Sequence, residues 1–373
     1  MTIYKTSEWV STGHPDKIAD YISEYILDRI IEKDPETRYA LEVQIKEKYV
    51  SLAGEIKTKA QVAGDDYEYW VRRAIAEIGY TEAYKQKFGK VNTIEANDVV
   101  IDACNISCQS PDISKGVDNQ GWGDQGIFFG FYCGETPEGQ GYEFQMAKDI
   151  GKKIYEKALS PTSHLGLDIK TQVTISIDTG RDPERDVEEI IIAVPMVPGK
   201  ETEGKKEVKE ILKSFPEAAS AKVIINGTGV YSQHGPIADS GTTGRKLVVD
   251  FYGGRSRIGG GSPWTKDGTK ADLTLNILAH ELAKDYFYEM KELDAPVHHT
   301  EAELSCCIGR KEVLMQLYAY DEEGNPFHML NDLKTVKHAD LIKRYKLNKP
   351  VYAMLCRDGL FSTTTTKKKE KTQ

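Results

Sequence analysis

The chain has 373 residues, of which 29% are charged, and a formal net charge of −9 at pH 7. This length exceeds the size at which a single hydrophobic core stops growing, so we expect two or three subdomains. The acidic balance gives no general attraction to nucleic acid or to an anionic membrane surface. No apolar run could span a bilayer, and the first residues lack the apolar core of a signal peptide. We therefore predict a cytoplasmic globular protein that binds neither nucleic acid nor membrane.

The six cysteines show no spacing that is typical of a zinc site, because no CxxC pair is followed by a second one. We predict reduced thiols that serve as buried core residues, rather than metal ligands or a redox pair. The six are Cys104, Cys108, Cys133, Cys306, Cys307 and Cys356.

Hydrophobic periodicity predicts a helix near the start of the chain. Isoleucines recur at every fourth position from Ile18 to Ile30, which places them on one helical face. Pro15 suits a first helical turn, because its fixed φ and its missing N–H are tolerated there. We therefore predict a helix over residues 15–33.

The following segments alternate between strand-like and helix-like patterns. The first two strands flank a short charged turn and predict a hairpin. The predicted strands are 39–45, 48–56, 99–106, 126–133, 172–177, 188–196, 222–226, 246–251, 304–308 and 313–320, with 99–106 expected to be buried. The predicted helices are 65–78, 142–158 and 271–290. This alternation indicates an α+β fold with mixed sheets and three similar α/β subdomains in a pseudo-threefold arrangement.

The subdomain boundaries follow from these patterns. We place an N-terminal subdomain at 1–110, a central one at 111–231 and a C-terminal one at 232–361. Residues 362–373 are rich in threonine and lysine, and we expect them to be disordered.

Two long segments, 109–125 and 252–269, carry no periodic apolar residues. Long loops without secondary structure are usually functional, so we expect both of them at a site.

The segment from Gly13 to Lys17 places a glycine, a histidine and a lysine around a helix N-terminus. Free backbone N–H groups, the helix dipole and two cationic donors suit a phosphate chain. Asp16 would repel phosphate unless a cation lay between them, and Mg²⁺ binds one or two carboxylates together with phosphate oxygens. Taken alone, the segment is more typical of an ordinary capped helix with solvated charges.

Distant segments strengthen the phosphate interpretation. Arg245 and Lys246 follow a glycine-rich turn, and a second glycine-rich stretch is followed by Lys266, Lys270 and Asp272. Such loops let backbone approach a ligand closely, and the four cations together suit a triphosphate. No Walker motif, kinase loop or dinucleotide fingerprint is present, so a familiar ATPase is not indicated.

Six ordered motifs resemble those of the S-adenosylmethionine synthetase (methionine adenosyltransferase) family, over residues 3 to 290 and weakly beyond. The motifs lie at residues 13–20, 54–56, 109–113, 123–126, 239–246 and 253–270. The resemblance implies this family's fold and reaction, in which the methionine sulfur displaces triphosphate from C5′ of ATP. The triphosphate is then split into phosphate and diphosphate. A thioether needs no base to act as a nucleophile, and no Ser-His or Cys-His pair is evident.

The resemblance also implies roles for matching positions. The catalytic residues would be His14, Lys170, Arg245 and Lys266. The ATP-binding residues would be His14, Lys17, Asp168, Lys170, Val230, Tyr231, Asp239, Arg245, Lys246, Ser262, Lys266 and Lys270, with Tyr231 stacked on adenine. The methionine-binding residues would be Glu55, Gln109, Asp239 and Lys270. The metal ligands would be Asp16, Asp272 and Asp124 for Mg²⁺, and Glu42 for K⁺.

The family's active sites lie between two subunits, so the resemblance implies a homodimer with shared sites, which can double to a tetramer, and ATP and L-methionine as ligands. Residues 109–125 correspond to the family's mobile gate. The other seven histidines match no catalytic position, and we expect them to be structural or solvated.

Three features depart from the family pattern: the gate segment 114–122 is short, Val230 stands where a basic residue is common, and residues 349–358 are divergent. Two alternatives remain, a phosphohydrolase acting on triphosphate or ATP and a non-catalytic regulatory subunit. The presence of Glu55 and Gln109 argues against the first, and the complete set of phosphate-facing residues argues against the second.

Overall fold

A computed structural model describes residues 2–108, 121–178 and 185–362 of the chain. In these ranges the helices are α1 (Pro15–Ile31), α2 (Gly64–Ile78), α3 (Glu82–Phe88), α4 (Tyr142–Ala158), α5 (Glu201–Leu212), α6 (Leu247–Asp250), α7 (Ala271–Glu292), α8 (His338–Tyr345) and α9 (Tyr352–Asp358). The strands are β1 (Thr2–Val10), β2 (Arg38–Lys46), β3 (Tyr49–Lys57), β4 (Val100–Ser107), β5 (Gly126–Cys133), β6 (Lys170–Asp178), β7 (Arg185–Ala193), β8 (Lys222–Ile225), β9 (Gly241–Thr242), β10 (His299–Cys306), β11 (Glu312–Tyr320) and β12 (Pro326–Thr335).

The described strands form three four-stranded sheets, in the orders β4-β3-β2-β9, β1-β6-β7-β8 and β12-β11-β10-β5. Each sheet is mixed or antiparallel, and each packs against helices: α1 on the first, α4 on the second and α7 on the third. The predicted α+β class with three similar units is confirmed.

Three strands pair outside the predicted subdomain in which they lie: β1 in the second sheet, β5 in the third, and β9, which pairs antiparallel with β2, in the first. Strand β1 pairs antiparallel with β6, and β5 pairs antiparallel with β10. The first strand of the chain therefore completes the second sheet, and β5 completes the third. This exchange ties the three units together, while the boundaries at 110 and 231 remain a prediction.

Strand β2 shows how one sheet separates a core face from an outer face. Its core residues stand opposite α1, and burying each of them contributes about 1.5–3 kcal/mol. They are Tyr39, Leu41, Val43 and Ile45. The alternate residues Ala40, Glu42 and Gln44 lie on the outer face, and Glu42 is exposed. Because paired residues share a face, Glu55 of β3, opposite Ala40, lies there too.

Periodicity predicted several elements closely. The helix expected over 15–33 is α1, and the two strands expected over 39–56 form the β2–β3 hairpin. Three further helices were predicted within two residues of their ends, at α2, α4 and α7.

Two predictions were wrong. Residues 246–251 do not form a strand but one helical turn, in which the Asp250 N–H donates to Lys246 O at 2.9 Å. A short apolar run does not distinguish a strand from a helix, and here the tertiary context decides. Strand β4 is not buried, since its residues are exposed or half-buried. Among the described strands, β4 lies at the edge of its sheet and pairs on one side only.

The cysteine prediction holds only in part. All six thiols are free, but Cys104, Cys108 and Cys307 are exposed while the other three are buried. Cys104 lies on the exposed edge strand β4, and Cys108 follows the end of that strand.

Of the two long loops, 252–269 contains no helix or strand, as predicted, although Tyr252 and Trp264 within it are buried. The other loop, 109–125, and the tail from 362 lie mostly outside the described residues. Within the described ranges, no helix combines the length and apolar composition that a membrane span requires.

Candidate functional site

The N-terminus of α1 is built around His14, which caps the helix. Its Nδ1 accepts the backbone N–H of Asp16 at 3.2 Å. Position 13, just before it, requires glycine, because a Cβ there would lie 2.3 Å from the carbonyl oxygen of Leu167. Burial, helped by the nearby charge of Lys246, lowers the pKa of His14 to about 4. His14 is therefore neutral at physiological pH, and with Nδ1 accepting, its proton lies on Nε2 as a hydrogen-bond donor.

Asp16 links α1 to the segment that carries Arg245 and Lys246. Its carboxylate is buried, accepts the Thr242 N–H at 3.0 Å, and forms ion pairs with Lys246 and, at 3.6 Å, with Arg245. Gly241 allows this close packing, since a Cβ there would lie 2.0 Å from the Pro15 carbonyl oxygen. The approach of β9 to the helix thus places two cations against one carboxylate at a helix N-terminus.

A second ion pair lies on the same edge of β2 as β9, at the Ala40 end of the strand. Lys266 forms an isolated antiparallel bridge with Ala40, and its ammonium pairs with Asp272 in the first turn of α7. Gly261 packs directly against that carboxylate, where a Cβ would lie 1.9 Å from Oδ1. We call the five charged residues of these two ion-pair groups the polyphosphate wall. They are Asp16, Arg245, Lys246, Lys266 and Asp272.

Asp124, a third predicted Mg²⁺ ligand, lies beside Cys306, as does Asp272. Burial raises the pKa of the Cys306 thiol to about 12, and the negative charges of Asp124 and Asp272 both add to this effect. The thiol also donates to the Asp124 carbonyl oxygen at 3.5 Å. The structure therefore brings two of the predicted Mg²⁺ ligands beside one cysteine.

Electrostatics shows that further predicted residues converge on His14. The charges of Asp239 and Lys170 both act on the pKa of its ring. Lys170, at the start of β6, also pairs with Glu8 of β1 at 2.6 Å and is half exposed. Residues from three distant parts of the chain therefore face one ring.

Asp168 and Tyr231 form a polar corner beside this group. Asp168 is buried and accepts the Tyr231 hydroxyl at 2.7 Å and the Gly235 N–H at 2.8 Å. Burial, together with the nearby charge of Asp239, raises the pKa of Asp168 to about 6. The neighbouring Val230 is exposed. The hydroxyl contact fixes the orientation of the Tyr231 ring, which sequence reasoning had assigned only to stacking.

Lys17 does not join the polyphosphate wall. Its ammonium is buried and pairs with Asp20 at 3.0 Å and with Asp250 at 2.6 Å, and it lies 4.6 Å from the centre of the Trp264 ring. We call Lys17, Asp20 and Asp250 the buried lysine network. Because its partners saturate it inside the protein, we correct its predicted role from ATP contact to structural ion pairing.

The remaining predicted positions lie around the wall. Glu42 accepts the hydroxyls of Thr243 and, at 3.1 Å, of Thr265. Ser262 accepts the Trp264 N–H at 3.1 Å through its hydroxyl. Lys270 is the N-cap residue of α7. These contacts keep the glycine-rich loop close to β2.

Two of the residues predicted to bind methionine are Glu55 and Gln109. Glu55 and Lys266 flank Ala40 from opposite sides of β2, at one level of the sheet. Gln109 lies outside the described residues.

Sequence reasoning missed the partners of these groups. Glu8, Asp20 and Asp250 hold cations in place, and Thr242 donates to Asp16. Asp20 was detectable in principle, because it lies three residues after Lys17 on one helical face. Nothing in the pattern identified the others, which are distant in sequence from the groups they contact.

Comparisons with known proteins identify a family that matches along most of the chain. Family models match residues 2–104 as the N-terminal domain, 119–231 as the central domain and 233–371 as the C-terminal domain of S-adenosylmethionine synthetase.

Individual relatives are similar over most of the chain. An S-adenosylmethionine synthase of Myxococcus xanthus (strain DK1622) is 38% identical over 290 residues, covering 75% of this chain and 69% of the relative. One of Prochlorococcus marinus (strain AS9601) is 34% identical and covers 92% of this chain and 87% of the relative. A solved structure described as an unusual S-adenosylmethionine synthetase from Campylobacter jejuni has a TM-score of 0.80 at 28% identity, covering 96% of this chain and 94% of that one. The chain therefore belongs to the S-adenosylmethionine synthetase family.

Proposed function

We propose that this protein is a methionine adenosyltransferase that converts ATP, L-methionine and water to S-adenosylmethionine, phosphate and diphosphate in the cytoplasm. The observation that carries the proposal is the polyphosphate wall, which lies beside a neutral histidine at a helix N-terminus. Membership of the family supports the overall reaction, and the roles below rest on this geometry.

The chemical difficulty lies in the leaving group, because the methionine sulfur already has a lone pair and no proton to lose. As the C5′–O bond breaks, negative charge grows on the triphosphate. Arg245, Lys246 and Lys266, with Lys170 beside them, would stabilise that charge, and the Nε2–H of His14 would donate to the departing oxygen. Fixed donors aimed at developing charge stabilise the transition state more than the ground state.

The carboxylates of the wall fit Mg²⁺. Asp16 and Asp272 are hard oxygen donors, and the charge of Asp124 acts on the same cysteine, Cys306, as that of Asp272. Among the described residues no group of three metal-ligating side chains occurs, so phosphate oxygens and water would complete the coordination. When bound, Mg²⁺ would neutralise triphosphate charge.

The ion pairs of the wall suggest how the ligand enters. Asp16 pairs with Lys246, and Asp272 pairs with Lys266. Without a ligand, each of these lysines is therefore neutralised by a carboxylate of the protein. A triphosphate with Mg²⁺ offers each of them a replacement partner: phosphate for the lysines and metal for the carboxylates. Binding then exchanges ion pairs instead of exposing charge.

The other ligand positions are proposed from the family pattern and their placement. The exposed carboxylate of Glu42, with the Thr243 and Thr265 hydroxyls against it, offers oxygen donors for K⁺. Adenine would stack on Tyr231, while Glu55 and Asp239 would bind methionine, with Lys270 and Gln109 completing the set.

We also propose a homodimer with shared active sites, which can pair further to a tetramer, and gating by residues 109–125. Glu42 and Glu55 support the shared site, because both lie on the outer face of the first sheet, where a second subunit can reach them.

Product analysis separates this proposal from its alternatives. Purified protein with ATP, methionine, Mg²⁺ and K⁺ should yield S-adenosylmethionine, phosphate and diphosphate in equal amounts. Phosphate release without the sulfonium product would indicate a phosphohydrolase, and no turnover would indicate a regulatory subunit. Either outcome would refute the proposal.

A further inference from the structure

Helix α1 carries a buried acid to which the proposed reaction gives no role. Glu24 is 1% exposed, and its Oε1 accepts the backbone N–H of Thr265 at 2.6 Å. Its Oε2 has no hydrogen-bond partner within the described ranges. Burial raises the pKa of Glu24 well above its usual range, which favours the neutral acid.

The residue that Glu24 holds has an unfavourable backbone conformation. Thr265 has φ +71, in the left-handed region that β-branched residues rarely adopt. Such strain persists only where the surroundings enforce it. Three hydrogen bonds do so here: the N–H to Glu24, the carbonyl from the Leu41 N–H at 3.2 Å, and the hydroxyl to Glu42 at 3.1 Å.

The strained residue immediately precedes Lys266 of the polyphosphate wall. On the other side of Lys266, the Asp267 N–H donates to the Tyr39 carbonyl oxygen at 3.3 Å, so this short segment runs beside β2. Thr265 and Asp267 are buried, whereas Lys266 lies opposite Ala40 and reaches Asp272. The backbone turn at Thr265 therefore sets the direction in which the Lys266 side chain leaves the chain.

We infer that Glu24 is a positioning residue for adenosyl transfer: it holds Thr265 in the left-handed conformation that aims Lys266 at the triphosphate. The inference rests on the proposed function for the role of Lys266. The hydrogen bond and the strained turn stand independently of that function.

A matched control lies one turn further along α1. Asp28 is also buried, and its carboxylate accepts the N–H groups of Tyr352 and Ala353 at 2.9 and 3.0 Å, at the start of α9. It resembles Glu24 in burial and in accepting backbone N–H groups that are distant in sequence. Neither Tyr352 nor Ala353, however, adjoins a member of the polyphosphate wall in sequence, whereas Thr265 precedes Lys266. Asp28→Leu therefore reports the general cost of removing a buried acceptor from this helix.

The test compares Glu24→Met, which removes the acceptor at similar volume, with Glu24→Gln, which keeps an accepting oxygen on a neutral side chain. We expect kcat to fall about 100-fold in Glu24→Met, the scale of loss when a catalytic group is misplaced by about 1 Å. KM for methionine should change much less. Glu24→Gln should stay near wild type, and Asp28→Leu should lower the melting temperature while kcat is kept.

Thr265→Gly supplies a background in which the turn is not strained, because glycine adopts positive φ without cost. Glu24→Met should lose clearly less activity in that background than in wild type, as expected for coupled residues. The same background gives a folded protein to measure if Glu24→Met alone does not fold.

Amide hydrogen exchange separates this inference from the proposed function. Peptides covering residues 262–268 should exchange faster in Glu24→Met and not in Asp28→Leu, whether or not the wild type makes S-adenosylmethionine. A wild type that makes none would refute the proposed function alone. Unchanged exchange in Glu24→Met, an unchanged kcat, or an equal loss of kcat in Asp28→Leu would overturn the inference.

Discussion

Two clusters of lysine and aspartate meet near the N-terminus of α1, and they are built for different purposes. In the polyphosphate wall, Arg245 is 51% exposed, and Lys246 and Lys266 are about one-fifth exposed. In the buried lysine network, all three side chains are at most 5% exposed. Asp16 and Lys17 are consecutive residues, yet they belong to different clusters.

The difference indicates that solvent access and the number of ion-pair partners, rather than residue type, distinguish the proposed binding site from a structural ion pair. Lys17 has two carboxylate partners and an aromatic ring around its ammonium, so exchanging them for a ligand would expose buried charge. The wall cations are accessible and can exchange partners with little desolvation. Four experiments test this comparison, from the largest expected effect to the smallest.

Lys17→Met should destabilise the fold by about 3–5 kcal/mol, because it leaves the buried Asp20 and Asp250 without their cation. The free energy of unfolding from urea titration measures this loss. Folded protein, assayed at low temperature, should keep its kcat. A large loss of kcat with normal stability would instead return Lys17 to the ligand site.

Lys266→Met should have the opposite effect, a loss of kcat with little loss of stability. We expect kcat to fall about 100- to 1,000-fold, the usual effect of removing one donor to developing charge. Stability should change little, because the Lys266 and Asp272 pair is partly exposed and such pairs contribute at most about 1 kcal/mol. Steady-state kinetics and a urea titration on the same sample provide both values, and unchanged kcat would remove Lys266 from the site.

Tripolyphosphate with Mg²⁺ should stabilise the protein without methionine or adenosine. At a ligand concentration of 100 times Kd the expected gain is about 2.7 kcal/mol. Thermal denaturation should show this gain in wild type and lose most of it in Lys246→Met. Equal stabilisation of both proteins would place the anion elsewhere.

His14→Asn should change how stability depends on pH. The pKa of folded His14 is about 4, below the 6.5 of an unperturbed histidine, so the unfolded chain binds more protons between these values. Wild type should therefore lose stability relative to the variant as pH falls from 6.5 to 4, by about 2 kcal/mol. Urea titrations at several pH values measure the difference, and parallel curves would show that His14 is not buried in its neutral form.

The sequence predicted best where local patterns decide the structure. The isoleucine spacing located α1, and alternation located the β2–β3 hairpin, because each pattern reflects a single buried face. The wall cations were also identified in advance, since glycine-rich segments next to cations are a local feature.

Prediction was poorer where contacts between residues far apart in sequence determine the local structure. The orientation of the Lys17 side chain depends on Asp250, which lies 233 residues away in the sequence. Residues 246–251 looked like a strand, but they form a helical turn between the wall and the buried network. Strand β12 was missed because it is exposed along nearly its whole length and so has no alternating pattern.

The central claim is that the wall supports transfer of the adenosyl group, and the fate of one carbon tests it most directly. ATP carrying ¹³C at C5′ can be followed by NMR during a reaction with methionine, Mg²⁺ and K⁺. We predict that the C5′ signal moves from its oxygen-bound to its sulfur-bound position as phosphate and diphosphate appear, and that Lys266→Met slows this change while Lys17→Met does not. A C5′ signal that stays at the oxygen-bound position while phosphate is released would contradict the account.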